Sequence, residues 1–193
     1  MRKNCVKMLA ACLAAVVLPA LAERALFAGG CFWCMEQAFE EVEGVVSVVS
    51  GFTGGALENP TYDGNHEGHL EAVAVEFDPQ RVSYEALLRV YWRNIDPFDD
   101  RGQFCDKGPS YRSAIFVATA QQRRLAEASR QVVVERFPDL EVVTPVRDAG
   151  PFYPVKEYHQ DYYRKNPLRY LFYKTTCGRP ARLEEIWGES AVH

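Results

Sequence analysis

The chain has 193 residues, 48% hydrophobic and 25% charged, with a formal net charge of −4. That length fits one domain with its own apolar core, and neither repeats nor low-complexity segments interrupt it. Its acidic balance argues against nucleic acid and anionic membrane surfaces as partners, because both are recognised by excess positive charge.

Arg2, Lys3 and Lys7 precede an apolar stretch from Met8 to Leu18, and Ala20-Leu21-Ala22 then offers a small-x-small cleavage site before Glu23. The stretch is shorter than the ~20 residues a spanning helix needs. A lipoprotein reading of Leu9-Ala10-Ala11-Cys12 is weak, since almost no apolar segment precedes that cysteine. Residues 1–22 therefore read as a signal peptide, cut after Ala22, and residues 23–193 as one exported, periplasmic domain with no stable membrane association. Cleavage removes three basic residues and no acidic ones, so −4 becomes −7. It also removes Cys5 and Cys12, leaving Cys31, Cys34, Cys105 and Cys177.

Arg24–Ala28 predicts a short buried strand, ended by Gly29-Gly30. Phe32, Met35, Phe39 and Val42 recur at helical spacing up to Gly44. Val45–Ser50 reads as a strand, Gly51-Phe52-Thr53-Gly54-Gly55 as loop, and Asn59–Gly68 as a polar loop. His69–Phe77 alternates as a strand. Ser83 caps a helix over Tyr84–Ile95, and a long loop runs from Phe98 to Tyr111. Ser113–Val117 is a further strand. Thr119 with Gln122 forms a capping box for a helix to about Phe137. Leu140–Val146 reads as the last strand, and a short helix around Glu157–Arg164 sits in aromatic-rich, irregular chain. This order predicts an α+β two-layer sandwich with a ferredoxin-like (split βαβ) core, long loops and an irregular C-terminal tail.

The most informative tetrapeptide is Cys31-Phe32-Trp33-Cys34, at a strand-to-helix junction. There, unpaired backbone N–H groups and the helix dipole favour an anion, which predicts a lowered thiol pKa at Cys31. Glu71 shares a strand face with Val73, Val75 and Phe77, so its carboxyl is expected to be desolvated, raised in pKa and available as a general acid. The competing reading leaves Glu71 at a strand end, exposed or paired with an arginine. Tyr62 and Tyr111 lie in loops where a phenol can donate to an oxygen; ordinary packing is the alternative for each. Phe32 and Trp33 could wall a small apolar pocket, although Phe32 also fits the core stripe of its helix. Asp106 reads by default as turn chemistry. His66 and His69 with Cys31 and Cys34 invite zinc, but the histidine spacing is too short for the usual pattern and a metal clamp would serve an active thiolate poorly, so no metal is expected.

At these residues the chain resembles the A-type peptide methionine sulfoxide reductase family. The segments are Gly30-Cys31-Phe32-Trp33 followed by Glu36, Asn59-Pro60-Thr61-Tyr62, and Gly68-His69 with Glu71 and Val73. Tyr111-Arg112-Ser113-Ala114-Ile115 and Gln160 with Lys165-Asn166-Pro167 complete the set, which spans Gly29 to Trp187. The resemblance implies Cys31 as nucleophile on the sulfoxide sulfur and Glu71 as proton donor. Tyr62 and Tyr111 would hydrogen-bond the oxygen, Phe32 and Trp33 would cradle the methyl group, and Asp106 would fix the polar end. It implies the S epimer, protein-bound or free methionine sulfoxide as substrate, no bound cofactor, and a thioredoxin-like dithiol as external reductant.

Many relatives carry Gly where Cys34 stands, so three thiols are open as the one that resolves oxidised Cys31. Cys34 is the first choice, although an i, i+3 pair on a regular helix needs local unwinding to meet disulfide geometry. Cys177 follows closely, in an exposed-looking tail free to swing in, and Cys105 sits beside Asp106. Phe52 replaces a tyrosine common in the family. Two other classes remain open at this point. One is a thioredoxin-like disulfide oxidoreductase using Cys31 and Cys34; the other is a non-enzymatic module stapled by Cys31–Cys34 and Cys105–Cys177. A monomer is expected, for want of an apolar dimerisation stripe.

Overall fold

A computed structural model describes residues 22–188; apart from Ala22, the leader read over residues 1–22 lies outside the described residues. In chain order the elements are β1 (Glu23–Gly29), α1 (Phe32–Glu40), β2 (Val45–Thr53), β3 (Leu70–Phe77) and α2 (Tyr84–Arg93). The two-residue strands β4 (Gly102–Gln103) and β5 (Asp106–Lys107) follow, then β6 (Ser113–Val117) and α3 (Ala120–Arg136). The chain closes with β7 (Val146–Asp148), β8 (Phe152–Pro154), α4 (Tyr162–Lys165), α5 (Pro167–Thr176) and α6 (Arg179–Trp187).

Alternation along β1 sends Ala25 and Phe27 to one face and Leu26 and Ala28 to the other, all buried. A strand buried on both faces belongs at the centre of a sheet, and β1 lies between β3 and β6, antiparallel to both. The full order is β7-β6-β1-β3-β2-β8. β3 is inserted antiparallel between β1 and β2, which makes β1-α1-β2 a split βαβ unit, and β1 likewise splits β3-α2-β6. The expected α+β ferredoxin-like core is therefore present.

The helical layer covers the Phe27 face. Phe27 stacks on Phe39 at 4.9 Å and on Tyr91 at 5.1 Å, and Val73, Val75, Ile115, Met35 and Leu87 complete that core. Truncating such a residue costs about 3–5 kcal/mol in transfer and cavity terms. Capping is as the sequence implied: Ser83 Oγ accepts from Ala86 N at 3.2 Å, and Thr119 Oγ1 from Gln122 N at 3.1 Å. Gln122 Oε1 reaches back to Ala118 N at 2.9 Å, one residue before the cap.

Four expectations need correction. Gly51-Phe52-Thr53 is not loop but the end of β2, pairing with β3 and β8. The glycine is there for close approach, because a Cβ on Gly51 would stand 2.5 Å from both the Phe152 ring and Tyr153 O. Leu140–Val146 is not a strand; the ladder begins only at Val146. Arg130 instead caps the carbonyls of Val142 and Thr144, at 2.7 and 3.0 Å, and Val143 N donates to Pro97 O. Asp106 and the Phe98–Tyr111 loop carry a small hairpin, β4–β5. The tail is not irregular: α5 and α6 fill it, with Pro167 and Pro180 in their first turns, where the missing N–H costs nothing.

Candidate active site

The site starts where β1 ends. Gly30 holds φ +79, a backbone region glycine enters freely, and a Cβ there would lie 2.5 Å from Gln103 Cβ. This turn delivers Cys31 to the N-cap of α1, with φ −51 and ψ 118, outside the helix proper. Cys34 sits three residues on, its N–H donating to Cys31 O at 3.1 Å. Because Cys31 has already left helical geometry, the two side chains meet, and their sulfurs share a hydrogen bond. Both thiols are free and buried.

Cys31 opens on a pocket of about 80 Å³ lined by Phe32, Trp33, Tyr62, Glu71, Asp106, Tyr111 and Tyr173. Every residue nominated from the sequence for the substrate side is thus brought together, from five separate stretches of chain. Glu71 comes from β3, opposite Phe52 of β2, and its Oε2 accepts from Phe32 N at 3.1 Å. Tyr62 comes from the 54–69 loop, Tyr111 from the end of the 3₁₀ turn Pro109–Tyr111, and Asp106 from β5. Tyr173 descends from α5, and its hydroxyl lies between Asp106 Oδ2 and the Cys31 sulfur. Trp33 is held from behind by Tyr162, ring on ring at 3.8 Å, and also stacks with His159 at 5.7 Å.

Burial pushes the Glu71 carboxyl from its usual 4.5 up to about 8; the Phe32 N–H opposes that, while the charges of Asp106 and Cys34 add to it. Glu71 is therefore protonated at neutral pH. Burial also lifts Tyr62 to about 12 and Tyr111 well above its usual range, so both remain O–H donors. The arrangement places one acid and several phenols around one sulfur, which suits protonation of an oxygen bound there.

The thiols themselves correct one expectation. Burial, reinforced by Cys34 and the Glu71 charge, pushes the Cys31 thiol well up, against the hydrogen bond from Tyr173. Cys34 goes the other way, to about 6: the hydrogen bond from Cys31 lowers it most, burial opposes, and Arg179, Tyr170 and Lys174 lower it further. Of the two sulfurs, Cys34 is the one whose surroundings favour the thiolate. Helix-terminus reasoning predicted a lowered thiol at Cys31 because it did not count the desolvation of that buried side chain.

Behind α1 a second hollow of about 360 Å³ reaches Cys34 and is lined also by Gln37, Glu41, Asn94, Leu171, Lys174 and Arg179. Cys105 and Cys177 are joined to each other across 72 residues, with 4.9 Å between Cα atoms. Cys177 is therefore not on a free tail but at the C-cap of α5, tied to the hairpin that carries Asp106. Of the two staples in the module reading, the second is formed and the first is not. The residues of the zinc reading do not converge: His69 uses both ring nitrogens, on Gly55 N and Leu57 O, and His66 stacks on Phe52 at 4.9 Å.

Sequence reasoning missed Tyr173, Tyr162, His159 and Arg179. Tyr170, Tyr173 and Cys177 stand at i, i+3 and i+7, a helical face that would have drawn α5 onto the cysteines had Pro167 been read as a helix start.

The sequence profile of the family described as "Peptide methionine sulfoxide reductase" matches residues 23–191. "Peptide methionine sulfoxide reductase MsrA 2" of Caulobacter vibrioides is 51% identical over 177 residues, covering 88% of this chain and 90% of that protein. The solved structure "Methionine sulfoxide reductase A of Corynebacterium diphtheriae" is 34% identical, with a TM-score of 0.69 over 76% of each chain. Mxr1 of Saccharomyces cerevisiae, solved in complex with Trx2, shares the fold at 18% identity and a TM-score of 0.53, covering 75% of this chain and 86% of that one.

Proposed function

The chain belongs to the peptide methionine sulfoxide reductase family, a thiol-dependent reductase, and we propose that it reduces the S epimer of methionine sulfoxide at Cys31. The observation that carries the assignment of roles is a protonated buried carboxyl, Glu71, in one small pocket with the Cys31 sulfur and the Tyr62, Tyr111 and Tyr173 phenols.

The substrate's methyl group rests on Phe32 and Trp33, and its polar end meets Asp106. Cys31 sulfur attacks the sulfoxide sulfur while Glu71 protonates the oxygen, which Tyr62 and Tyr111 stabilise as charge develops. Methionine leaves and Cys31 becomes a sulfenic acid, the thiol proton of Cys31 replacing the one Glu71 gave. A second thiol then forms a disulfide with Cys31 and water departs. Sulfur supplies every electron, so the chemistry asks for no cofactor beyond an external dithiol. A thioredoxin-like donor fits that need, as the yeast relative's complex with Trx2 suggests. Disulfide exchange alone, the alternative reading of the Cys31/Cys34 pair, has no use for Glu71 or the phenols.

The reading extends to an exported, periplasmic, monomeric repair enzyme acting on oxidised proteins and free methionine sulfoxide. Its supports are the Arg2, Lys3, Lys7 leader and the small-x-small site at Ala20–Ala22. N-terminal sequencing of the secreted protein should begin at Glu23, and an intact leader on protein recovered from the periplasm would count against cleavage.

Mass spectrometry of a methionine sulfoxide peptide with excess dithiol, using resolved epimers, tests the reaction. The expected result is loss of one oxygen from the S epimer alone; turnover of the R epimer instead would overturn the stereochemical assignment.

A further inference from the structure

Arg179 opens α6 and is 3% exposed. Its Nη1 donates to Asn94 O at 2.7 Å and lies 4.0 Å from Met35 Sδ; its Nη2 donates to Gly29 O at 3.0 Å. The guanidinium lies over the Phe104 ring, 4.3 Å from its centroid. None of these partners is charged. Arg182, one turn on and more exposed, has Asp96 at 2.7 Å and Glu185 at 2.8 Å, whereas Arg179 forms no carboxylate pair among the described residues. A buried cation without a counter-charge is costly, so a fold that keeps one has an anion in reach. Two groups that can be anions share the hollow behind α1 with Arg179: Glu41 is exposed and takes a hydrogen bond from Gln37 Nε2 at 2.8 Å, whereas Cys34 is buried as Arg179 is.

We propose that Arg179 is the counter-charge of Cys34, holding it as the thiolate of the reduced enzyme and making it the nucleophile that closes on oxidised Cys31. This rests on the functional reading above and deepens it. In that step the Cys34 thiolate attacks the sulfur of the Cys31 sulfenic acid. The S–S bond forms, the S–O bond breaks, and the oxygen leaves with a proton from Glu71 as water. Arg179 touches neither substrate nor the reacting oxygen; it is a positioning residue that acts through Cys34.

The groups facing Cys34 come from every element packed against it. Cys31 donates from the N-cap of α1, Tyr170, Tyr173 and Lys174 face it from α5, Arg179 from α6, and Glu71 from β3; Glu41 lines the same hollow. Lys174 is held by Gln37 Oε1 at 2.9 Å and is only partly buried, whereas Arg179 is the fully buried cation of the two. Asp106 also feels Arg179, but there Tyr173 and Lys107 act as well. Burial of Cys34 works against the thiolate and is overcome by this set.

Thiolate absorbance at 240 nm, followed against pH on protein with Cys105–Cys177 intact, reads the proposal directly. The wild type should show one thiolate that is lost as pH falls through about 6. Cys31→Ser, which keeps a hydroxyl donor, should retain it; Cys34→Ser should lose it. Arg179→Gln should shift the midpoint up by at least one unit, and Arg179→Lys should restore most of that shift. Retention in Cys34→Ser with loss in Cys31→Ser would overturn the proposal, as would an unmoved midpoint in folded Arg179→Gln. Should the glutamine variant not fold, loss of the thiolate in folded Arg179→Lys overturns it instead.

A rapid-quench first turnover gives the second readout. In Arg179→Gln, the lifetime of the Cys31 sulfenic acid, trapped with dimedone, should rise at least tenfold relative to the time for methionine release. An unchanged ratio overturns the proposal. Failure of the wild type to release methionine would instead overturn the functional reading and leave the absorbance result standing.

Discussion

The two sides of helix α1 present opposite chemistry to two thiols three residues apart. On the pocket side, Cys31 faces a protonated carboxyl and three phenols, all proton donors, and is itself held as a thiol. On the far side, Cys34 faces a guanidinium and an ammonium from α5 and α6, and is held as a thiolate. A CxxC sequence does not say which sulfur does what. The neighbours decide: strand, loops and Tyr173 of α5 on one side, and α5 and α6 on the other.

The largest way to break this contrast is to remove the pocket-side sulfur. Cys31→Ser should abolish methionine formation, a loss of roughly 10³-fold or more as for other nucleophile deletions, with peptide mass spectrometry as the assay. A serine variant with wild-type turnover would undo the division of labour.

Glu71→Gln comes next. It keeps the shape but not the proton, and kcat should fall by roughly 10²–10⁴-fold with KM little changed. The sign of the pH effect follows from a carboxyl raised to about 8: the donor is present below that pH and lost above it, so wild-type kcat should decline through about 8. The same shift bears on stability. A raised carboxyl favours the fold fully below its unfolded value near 4.5 and loses that contribution as pH rises to about 8. Glu71→Gln should therefore unfold at a higher temperature than the wild type at pH 8, a gain that vanishes near pH 4.

Cys105→Ser sharpens the contrast from outside, since the bridge ties the Asp106 hairpin to the helix that supplies Tyr173 and Lys174. A loop of 72 residues is closed, which in the chain-entropy account amounts to about 4 kcal/mol. Denaturant unfolding should show most of that loss, with kcat reduced by less than in Glu71→Gln. The smallest effect is expected for Tyr162→Leu, which removes the ring 3.8 Å behind Trp33. The lost stacking is about 0.5–1.5 kcal/mol, and a several-fold rise in KM at constant kcat would report it.

The pocket side was legible in the sequence because its residues announce themselves locally. Cys31 follows a glycine turn, and Glu71 breaks the apolar alternation of a strand. Tyr62 and Tyr111 were legible only with the help of family resemblance, because ten tyrosines compete for attention. The far side was not legible. Arg179 and Lys174, like Tyr173 on the pocket side, reach the cysteines through tertiary packing of α5 and α6, which no local pattern reports. Gly51 misled for a related reason: its meaning is the nearness of Phe152, a contact 101 residues away that no local pattern reports. Leu140–Val146 has the alternation of a strand and the burial of one at Val142 and Thr144, yet Arg130 takes the carbonyls a neighbour would have taken.

The exposed bridge at Cys105 sets a selectivity problem for whatever delivers electrons. In each cycle the donor must reduce a disulfide at buried Cys31 while an easier target, Cys105, faces solvent. A small dithiol in excess has no surface by which to choose between them. A protein donor recognises surface as well as sulfur, so it can be steered to the inner pair and spare the outer one. Free-thiol counting after turnover with a small reductant reads whether the hairpin and α5 have come untied, and comparison with turnover on a protein donor isolates what that tie does for the rate.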